Sequence, residues 1–232
     1  MDEHRLAGGV PGPTNRSYWV VDQRLAAGAY PFHPDWVPGD PTPENLERLL
    51  DVGIDTFVNL TQDHPGGTDA HMVRYHSSVE GRADVLAHPI PDLGLPDGGP
   101  DEMKEILDAV DWALDAGRKA YVHCWGGSGR TGTVVGCWLR RHGLAEPEEV
   151  LGVLRELRRS GDRDGGHKDT PQTPDQRWMV ESWEEGACPT DWIPGCWTGR
   201  WGRSSARRAV TPSEPVTSSG TSTFPLTQPT WR

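Results

Sequence analysis

A short apolar segment, a glycine-rich turn and a helical segment follow one another between residues 121 and 142, and this order constrains the fold most. Residues 121–124 (YVHC) predict a buried strand, and residues 129–142 predict a helix that Gly143 ends. Other strand and helix segments alternate on both sides of this unit. Because strands separated by helices form a sheet covered by helices, the sequence predicts an α/β fold with a central, mostly parallel sheet flanked by helices.

The remaining elements follow from apolar spacing and from capping residues. Pro43 and Pro147 fit the first turns of two helices, and Gly53 and Gly117 fit helix ends. The sequence predicts an opening hairpin over 17–30, a helix from 42 to 53, strands over 54–60 and 85–90, and helices over 101–116, from 147 onward and over 173–184.

The 232 residues have room for one sizeable core. Hydrophobic residues make up only 34% of the chain and the mean hydropathy is −0.64, so part of the chain is expected not to pack. Glycine, proline, serine and threonine are concentrated at the two ends. We therefore predict a flexible leader over 1–16, a folded domain over 17–185 and a disordered tail over 186–232.

The charge and the end sequences exclude several classes of partner. A net charge of −11 is unfavourable for binding nucleic acid or an anionic membrane surface. No run reaches the length of a membrane-spanning helix, and the N-terminal residues lack the pattern of a secretory signal. The four cysteines, residues 124, 137, 188 and 196, form no disulfide framework. We expect a cytoplasmic monomer.

The turn after the predicted strand has the composition of an anion site. Its glycines allow successive backbone N–H groups to face one point, in front of a helix N-terminus. Cys124 lies in the resulting positive potential, which favours the nucleophilic thiolate. Arg130 is placed to offer two parallel N–H donors to a phosphoryl group. The expected phosphate-binding residues are Trp125, Gly126, Gly127, Ser128, Gly129 and Arg130.

A buried structural cysteine beside an ordinary turn is the alternative interpretation of this segment. A nucleotide P-loop fits poorly because no Gly-Lys-Ser/Thr follows the glycines. Cysteine, spaced arginine, a hydroxyl residue and the strand-loop-helix context occur together here. This coincidence favours a catalytic phosphate loop that needs no metal or cofactor, since arginine and backbone amides supply the positive charge.

The segment 123–132, HCWGGSGRTG, resembles the signature loop of the protein-tyrosine phosphatase superfamily, and residues 17–184 are similar to compact dual-specificity-like phosphatases. The resemblance implies that Cys124 forms a phosphocysteine and that Arg130 binds the phosphoryl oxygens. It also implies that the Thr131 hydroxyl stabilises the thiolate and assists breakdown of the intermediate, and that His123 helps to order the loop. His123 is equally explained as a buried strand residue that binds a backbone carbonyl.

A leaving alkoxide or phenolate needs a proton, which a carboxylic acid on a movable loop supplies. Asp92, in HPIPDLGLPD after a predicted strand, is the candidate, because this segment resembles the general-acid loop of the family. Asp97 and Asp101 are nearby rivals. Asp97 is better explained as a turn residue and Asp101 as a helix N-cap.

The segment 171–176, PQTPDQ, resembles the glutamine loop that positions the hydrolytic water in these enzymes. Gln172 fits that role. Gln176 is a second candidate, but Thr173 and Gln176 also form the S/T-x-x-Q pattern of a capping box. A purely structural role for Gln176 therefore stays open.

The substrate is the least determined part of the prediction. The loop between Cys124 and Arg130 contains no lysine, whereas inositol-phosphate phosphatases of the superfamily that it resembles often have extra basic groups there. The resemblance therefore favours phosphotyrosine or mixed phosphoprotein substrates, with phosphoserine and phosphothreonine included. A small-molecule or lipid phosphatase, a non-catalytic phosphate-binding module and a thiol-based sulfur or arsenate enzyme are the alternatives. His64, His71 and His76 lack the spacing of a metal site, and none is predicted.

Overall fold

Five strands form the central sheet of the computed structural model, which describes residues 4–33, 43–162 and 168–185. In chain order they are β1 (Ser17–Val21), β2 (Leu25–Gly28), β3 (Thr56–Asn59), β4 (Asp84–Ala87) and β5 (Ala120–His123). They lie in the order β1-β2-β5-β3-β4, and of the pairs in the described sheet β1 with β2 alone is antiparallel. The predicted α/β fold with a mostly parallel sheet is confirmed.

Six helices accompany the sheet in the described part of the chain. They are α1 (Pro43–Asp51), α2 (His76–Val79), α3 (Gly99–Asp115), α4 (Gly129–Arg141), α5 (Val150–Gly161) and α6 (Pro174–Glu181). The sequence missed α2, whose 4 residues are too few to show a helical period. Helix α5 begins at Val150 rather than at Pro147, because residues 147–149 form a turn.

The opening hairpin predicted over 17–30 is present as β1 and β2. Gln23 lies in the connecting turn with a φ of 52°, a left-handed conformation that is uncommon for residues other than glycine. Strand β2 pairs with β5 in parallel, so the hairpin extends the sheet beside its central strand. Strand β2 therefore passes directly next to the loop that follows β5.

Residues 4–16, the described part of the predicted flexible leader, pack along the outer edge of β1. Leu6 pairs with Val21 and Pro11 with Tyr18 in isolated antiparallel bridges, and Ala7 is buried. An edge strand offers unpaired backbone groups, and this segment satisfies part of them. The prediction of a loose leader is corrected for these residues. Residues 1–3 and the predicted tail over 186–232 lie outside the described part of the chain.

Apolar side chains cover both faces of the sheet. Phe57 and Tyr121 join a buried cluster with Leu46 and Leu49 of α1 on one face. Alternation along each strand turns their neighbours to the other face, where α3 and α4 contact β3 and β5. Strands β3, β4 and β5 are parallel, so the segments after them start at one edge of the sheet. This edge is where ligands bind in open α/β sheets.

Candidate active site

The loop between β5 and α4 carries Cys124 at its start, with the residue only 3% exposed. Gly127 in this loop has a φ of 69°. A Cβ atom at Gly127 would lie 2.4 Å from the carbonyl carbon of Gly28 in β2. Both the left-handed backbone and the close approach require glycine, so the loop can take this course only with glycine at position 127.

Hydrogen bonds hold the loop on both sides. The Tyr30 amide donates to the Trp125 carbonyl oxygen at 3.0 Å, and the Thr170 hydroxyl donates to the Ser128 carbonyl oxygen at 3.0 Å. The Trp125 ring packs against the His33 ring, with 4.4 Å between the ring centroids. These contacts direct two loop carbonyl groups toward the surrounding protein, which is the arrangement that an anion cradle needs.

Arg130 lies in the first turn of α4 and is 2% exposed. Its Nη1 donates to Asp69 Oδ2 at 2.6 Å, and its Nη2 donates to Asp69 Oδ1 at 3.0 Å. The second hydrogen of Nη1 is directed to the Ile90 carbonyl oxygen at 3.1 Å, and Nη2 also lies 3.0 Å from Asp92 Oδ1. Three of the five guanidinium donors thus form hydrogen bonds, Nη2 has a further ion-pair contact with Asp92, and Nε has no hydrogen-bond partner among the described residues.

Asp69 is a site residue that the sequence analysis missed. Burial raises the pKa of its carboxyl group, but hydrogen bonds and charge from Arg130, with the Gln62 amide and the Thr68 hydroxyl, bring it below its usual value. Asp69 is therefore ionised and paired. The signal in the sequence was weak: residues 61–72 follow β3 at the same sheet edge, but an aspartate in a glycine-containing loop resembles a turn residue.

Asp92 reaches the site from the loop that follows β4. Its side chain is 54% exposed and lies 3.0 Å from Arg130, and its amide donates to Thr68 Oγ1 at 3.1 Å. The rivals lie elsewhere: Asp97 is exposed, and Asp101 lies inside α3, whose N-cap is Gly98. The expectation that Asp101 caps this helix is wrong, because the helix begins at Gly99.

The two candidate glutamines meet the loop at Gly129. A Cβ atom there would lie 2.7 Å from Gln172 Oε1 and 3.0 Å from Gln176 Oε1. Gln176 forms the predicted capping box with Thr173, and its Nε2 donates to the Gly94 carbonyl oxygen at 2.9 Å. Gln176 therefore ties the start of α6 to the loop of Asp92. Gln172 is exposed beside the phosphate loop, a position open to a water molecule.

His123 lies under the loop, fully buried, with its Nε2 2.7 Å from the Tyr75 hydroxyl. Burial lowers the pKa of His123 to about 3, although the neighbouring backbone of Cys124 favours the charged form. The imidazole is therefore neutral at physiological pH. Its Nδ1 forms no hydrogen bond of good geometry with the described residues.

Thr131 follows Arg130 in α4 and is fully buried. Its hydroxyl donates to the Gly28 carbonyl oxygen at 3.5 Å, a long and weak contact. The sequence analysis assigned this hydroxyl to the Cys124 thiolate. In the structure it contacts the backbone of β2 instead.

The groups around Cys124 are of the kind that suits an oxyanion. The N-terminus of α4, the loop amides and Arg130 supply positive charge around Cys124. Across the residues that the structure describes, no three His, Cys, Asp or Glu side chains come together as a metal-binding group. The described helices include none that is long and apolar enough to cross a membrane.

Solved phosphatases share this architecture. The crystal structure of a mutant form of Tk-PTP superimposes with a TM-score of 0.55 at 25% identity, covering 72% of this chain and 94% of that one. PTPMT1 in complex with PI(5)P gives a TM-score of 0.53 at 15% identity, covering 70% and 90%, and this likeness concerns the fold alone. Sheet order, loop and arginine together are those of the protein-tyrosine phosphatase superfamily.

The chain belongs to the family described as PTP-SAK, Swiss Army Knife protein, DSP-PTPase phosphatase domain, whose model matches residues 14–169. Cyclin-dependent kinase inhibitor 3 of Sus scrofa is 39% identical over 122 residues, which are 51% of this chain and 55% of that protein. Protein 067L of Invertebrate iridescent virus 3 is 27% identical over 168 residues, 71% of this chain and 58% of its own length. The chain thus spans less than two thirds of these relatives.

Proposed function

We propose that the protein hydrolyses phosphate monoesters on proteins, phosphotyrosine first and phosphoserine or phosphothreonine second, through a metal-independent phosphocysteine mechanism. One observation carries the proposal: Arg130 and Asp92, which come from different elements, meet at the loop of Cys124 with 3.0 Å between Nη2 and Oδ1. A phosphate clamp and a carboxyl group are the two groups that such a displacement requires beside the nucleophile.

The first step forms a bond between Cys124 Sγ and phosphorus and breaks the bond from phosphorus to the leaving oxygen. Arg130 binds the phosphoryl group through two parallel donors, Nε and Nη2. Nε is unpartnered among the described residues, and Nη2 contacts both Asp69 and Asp92. Substrate therefore displaces the Asp92 carboxyl group from its ion-pair contact with Nη2. The released carboxyl group, in its protonated form and with 54% exposure, is then placed to give its proton to the leaving oxygen, which leaves the carboxylate that acts as base in the second step.

In the second step a water molecule attacks phosphorus, and the bond from Cys124 Sγ to phosphorus breaks. Asp92 accepts the proton of this water, and Gln172, beside the loop at Gly129, orients it. Thr131 assists if its hydroxyl turns from the Gly28 carbonyl to the leaving thiolate, a change that the weak 3.5 Å contact permits. No metal or cofactor takes part, and the enzyme acts as a cytoplasmic monomer with Cys124 and Cys137 as free thiols.

Hydrolysis of p-nitrophenyl phosphate in EDTA and a thiol reductant tests this proposal. Wild type should turn over, Cys124→Ser should abolish activity, and Asp92→Ala should lower kcat about 100-fold. Asp97→Ala is the matched control because Asp97 is an exposed aspartate near the same loop. Phosphotyrosyl peptide and phosphatidylinositol phosphate are then compared by kcat/KM. No turnover by folded wild type, or full activity of Cys124→Ser, would contradict the proposal, and a preference for the lipid would contradict its substrate class.

A further inference from the structure

Arg158 of α5 is a charged residue inside the protein, with 0% exposure. Its Nε lies 3.2 Å from Asp162 Oδ2, and the Asp162 side chain is only 2% exposed. A fully buried arginine is rare, because removing a charge from water is costly unless each donor finds a partner. Asp162 balances the charge of the guanidinium through Nε. The donors on Nη1 and Nη2 are therefore available for other contacts.

Those donors are directed at the phosphate loop. Nη1 donates to the Ser128 hydroxyl at 2.5 Å, and Nη2 donates to the Gly126 carbonyl oxygen at 3.5 Å. Both acceptors lie between Cys124 and Arg130. Arg158 thus contacts the loop through one side chain and one backbone oxygen, although it is distant in sequence and lies outside the signature segment.

The contact with Ser128 changes how α4 begins. Ser128 is the N-cap of this helix, and a serine there ordinarily accepts a hydrogen bond from an amide of the first turn. Ser128 forms no such bond. Its hydroxyl is held by Arg158 instead, so the serine does not use the first-turn amides, and these donors remain for an anion.

We infer that Arg158 is a positioning residue of the phosphate loop: through the Ser128 hydroxyl, and more weakly through the Gly126 carbonyl, it fixes the course of the loop between Cys124 and Arg130. Without Arg158, the serine hydroxyl loses its buried partner and the loop loses the side chain that ties it to α5. Both changes weaken oxyanion binding and reduce the positive potential at Cys124. The inference rests on the proposed function only in taking the loop as a phosphate site.

Two measurements without turnover test this inference. The first is the affinity of the full chain for orthovanadate, and the second is the rate of Cys124 alkylation by iodoacetamide as a function of pH. Arg158→Met should weaken orthovanadate binding about tenfold, the loss expected for one hydrogen bond to a charged group, and should move the alkylation profile to higher pH. Arg159→Met is the matched control, since Arg159 lies on the same helix with a 74% exposed side chain.

Ser128→Ala keeps Arg158 and removes the acceptor in the loop, so it tests the same contact if Arg158→Met fails to fold. We expect a smaller loss of orthovanadate affinity, about threefold, and a double variant no weaker than Arg158→Met, because both act through one contact. Wild-type affinity and alkylation in a folded Arg158→Met, or wild-type affinity in Ser128→Ala, would overturn the inference. Failure of wild type to hydrolyse any phosphate would instead overturn the proposed function and leave these binding results interpretable.

Discussion

Arg130 and Asp69 form a bidentate ion pair at the carboxyl edge of the sheet, with Nη1–Oδ2 and Nη2–Oδ1 distances of 2.6 and 3.0 Å. Two parallel contacts fix the plane of the guanidinium as well as its position. The neighbouring Thr68 accepts a hydrogen bond from the Asp92 amide at 3.1 Å. Adjacent residues of one loop thus position both the phosphate clamp and the candidate acid.

Asp69→Asn should impair both stability and catalysis. The variant leaves Arg130 with a neutral partner in a buried site, and breaking such a pair costs about 3 kcal/mol in free energy of unfolding. The asparagine amide can accept only one of the two parallel hydrogen bonds, so the guanidinium is held less firmly in its plane and kcat/KM for p-nitrophenyl phosphate should fall about 30-fold. Urea unfolding and steady-state kinetics measure the two effects. Asp97→Asn, at an exposed position, should leave both unchanged, and an Asp69→Asn enzyme with wild-type kinetics would contradict the positioning role.

Gly127→Ala and Gly126→Ala form a matched pair within the loop. A Cβ atom at Gly127 would lie 2.4 Å from the Gly28 backbone, on a φ of 69°, whereas a Cβ atom at Gly126 meets nothing within 4 Å. Gly127→Ala should therefore lower the free energy of unfolding by about 3 kcal/mol and abolish orthovanadate binding. Gly126→Ala should change the stability by less than about 1 kcal/mol. Equal effects of the two variants would contradict the close approach of Gly127 to the Gly28 backbone.

Substitution of Gln172 and of Gln176 should have different effects on the kinetics. Gln172→Ala removes the residue that orients water, so p-nitrophenol should appear in a rapid burst followed by slow steady turnover. Gln176→Ala removes the capping box and the contact with Gly94, and should lower the free energy of unfolding by about 1 kcal/mol without producing a burst. Stopped-flow absorbance distinguishes these outcomes. A burst in Gln176→Ala and none in Gln172→Ala would exchange the two roles.

Acid should destabilise the protein through His123. Burial lowers the pKa of this residue to about 3 from 6.5, so between these pH values the unfolded chain binds a proton that the folded chain does not. The contribution of neutral His123 to the free energy of unfolding is fully present above pH 6.5. It is lost as the pH falls toward 3, by up to about 1.4 kcal/mol per pH unit. Urea unfolding between pH 7 and pH 5 measures the slope.

His123→Gln should flatten that pH dependence, whereas His64→Gln, at an exposed position, should retain the wild-type slope. The comparison uses slopes rather than absolute stabilities, because His123→Gln also alters the contact with Tyr75. His76 and His88, whose pKa values burial also lowers, remain in both variants. An unchanged slope in His123→Gln would mean that the folded protein protonates His123 without penalty.

The fold was predictable where local signals agreed with burial. Strand β5, the glycine loop and α4 each have a clear period or composition, and the Thr173–Gln176 capping box depends on neighbours in sequence. Asp69 and Arg158 were not predictable in this way. Their roles depend on contacts with Arg130 and Ser128 across 61 and 30 positions, and neither residue has a distinctive local pattern. The leader was misjudged for the same reason, because its partner is the open edge of β1.

The central claim is that Cys124 carries the phosphoryl group between the two steps. The most direct measurement is acid quenching of Gln172→Ala during turnover of p-nitrophenyl phosphate, followed by mass spectrometry of the peptide that contains Cys124. We predict the added mass of one phosphoryl group on Cys124, absent from Cys124→Ser and absent without substrate. A rapidly turning-over enzyme with no phosphoryl group on this peptide, or with the group on another residue, would contradict the mechanism.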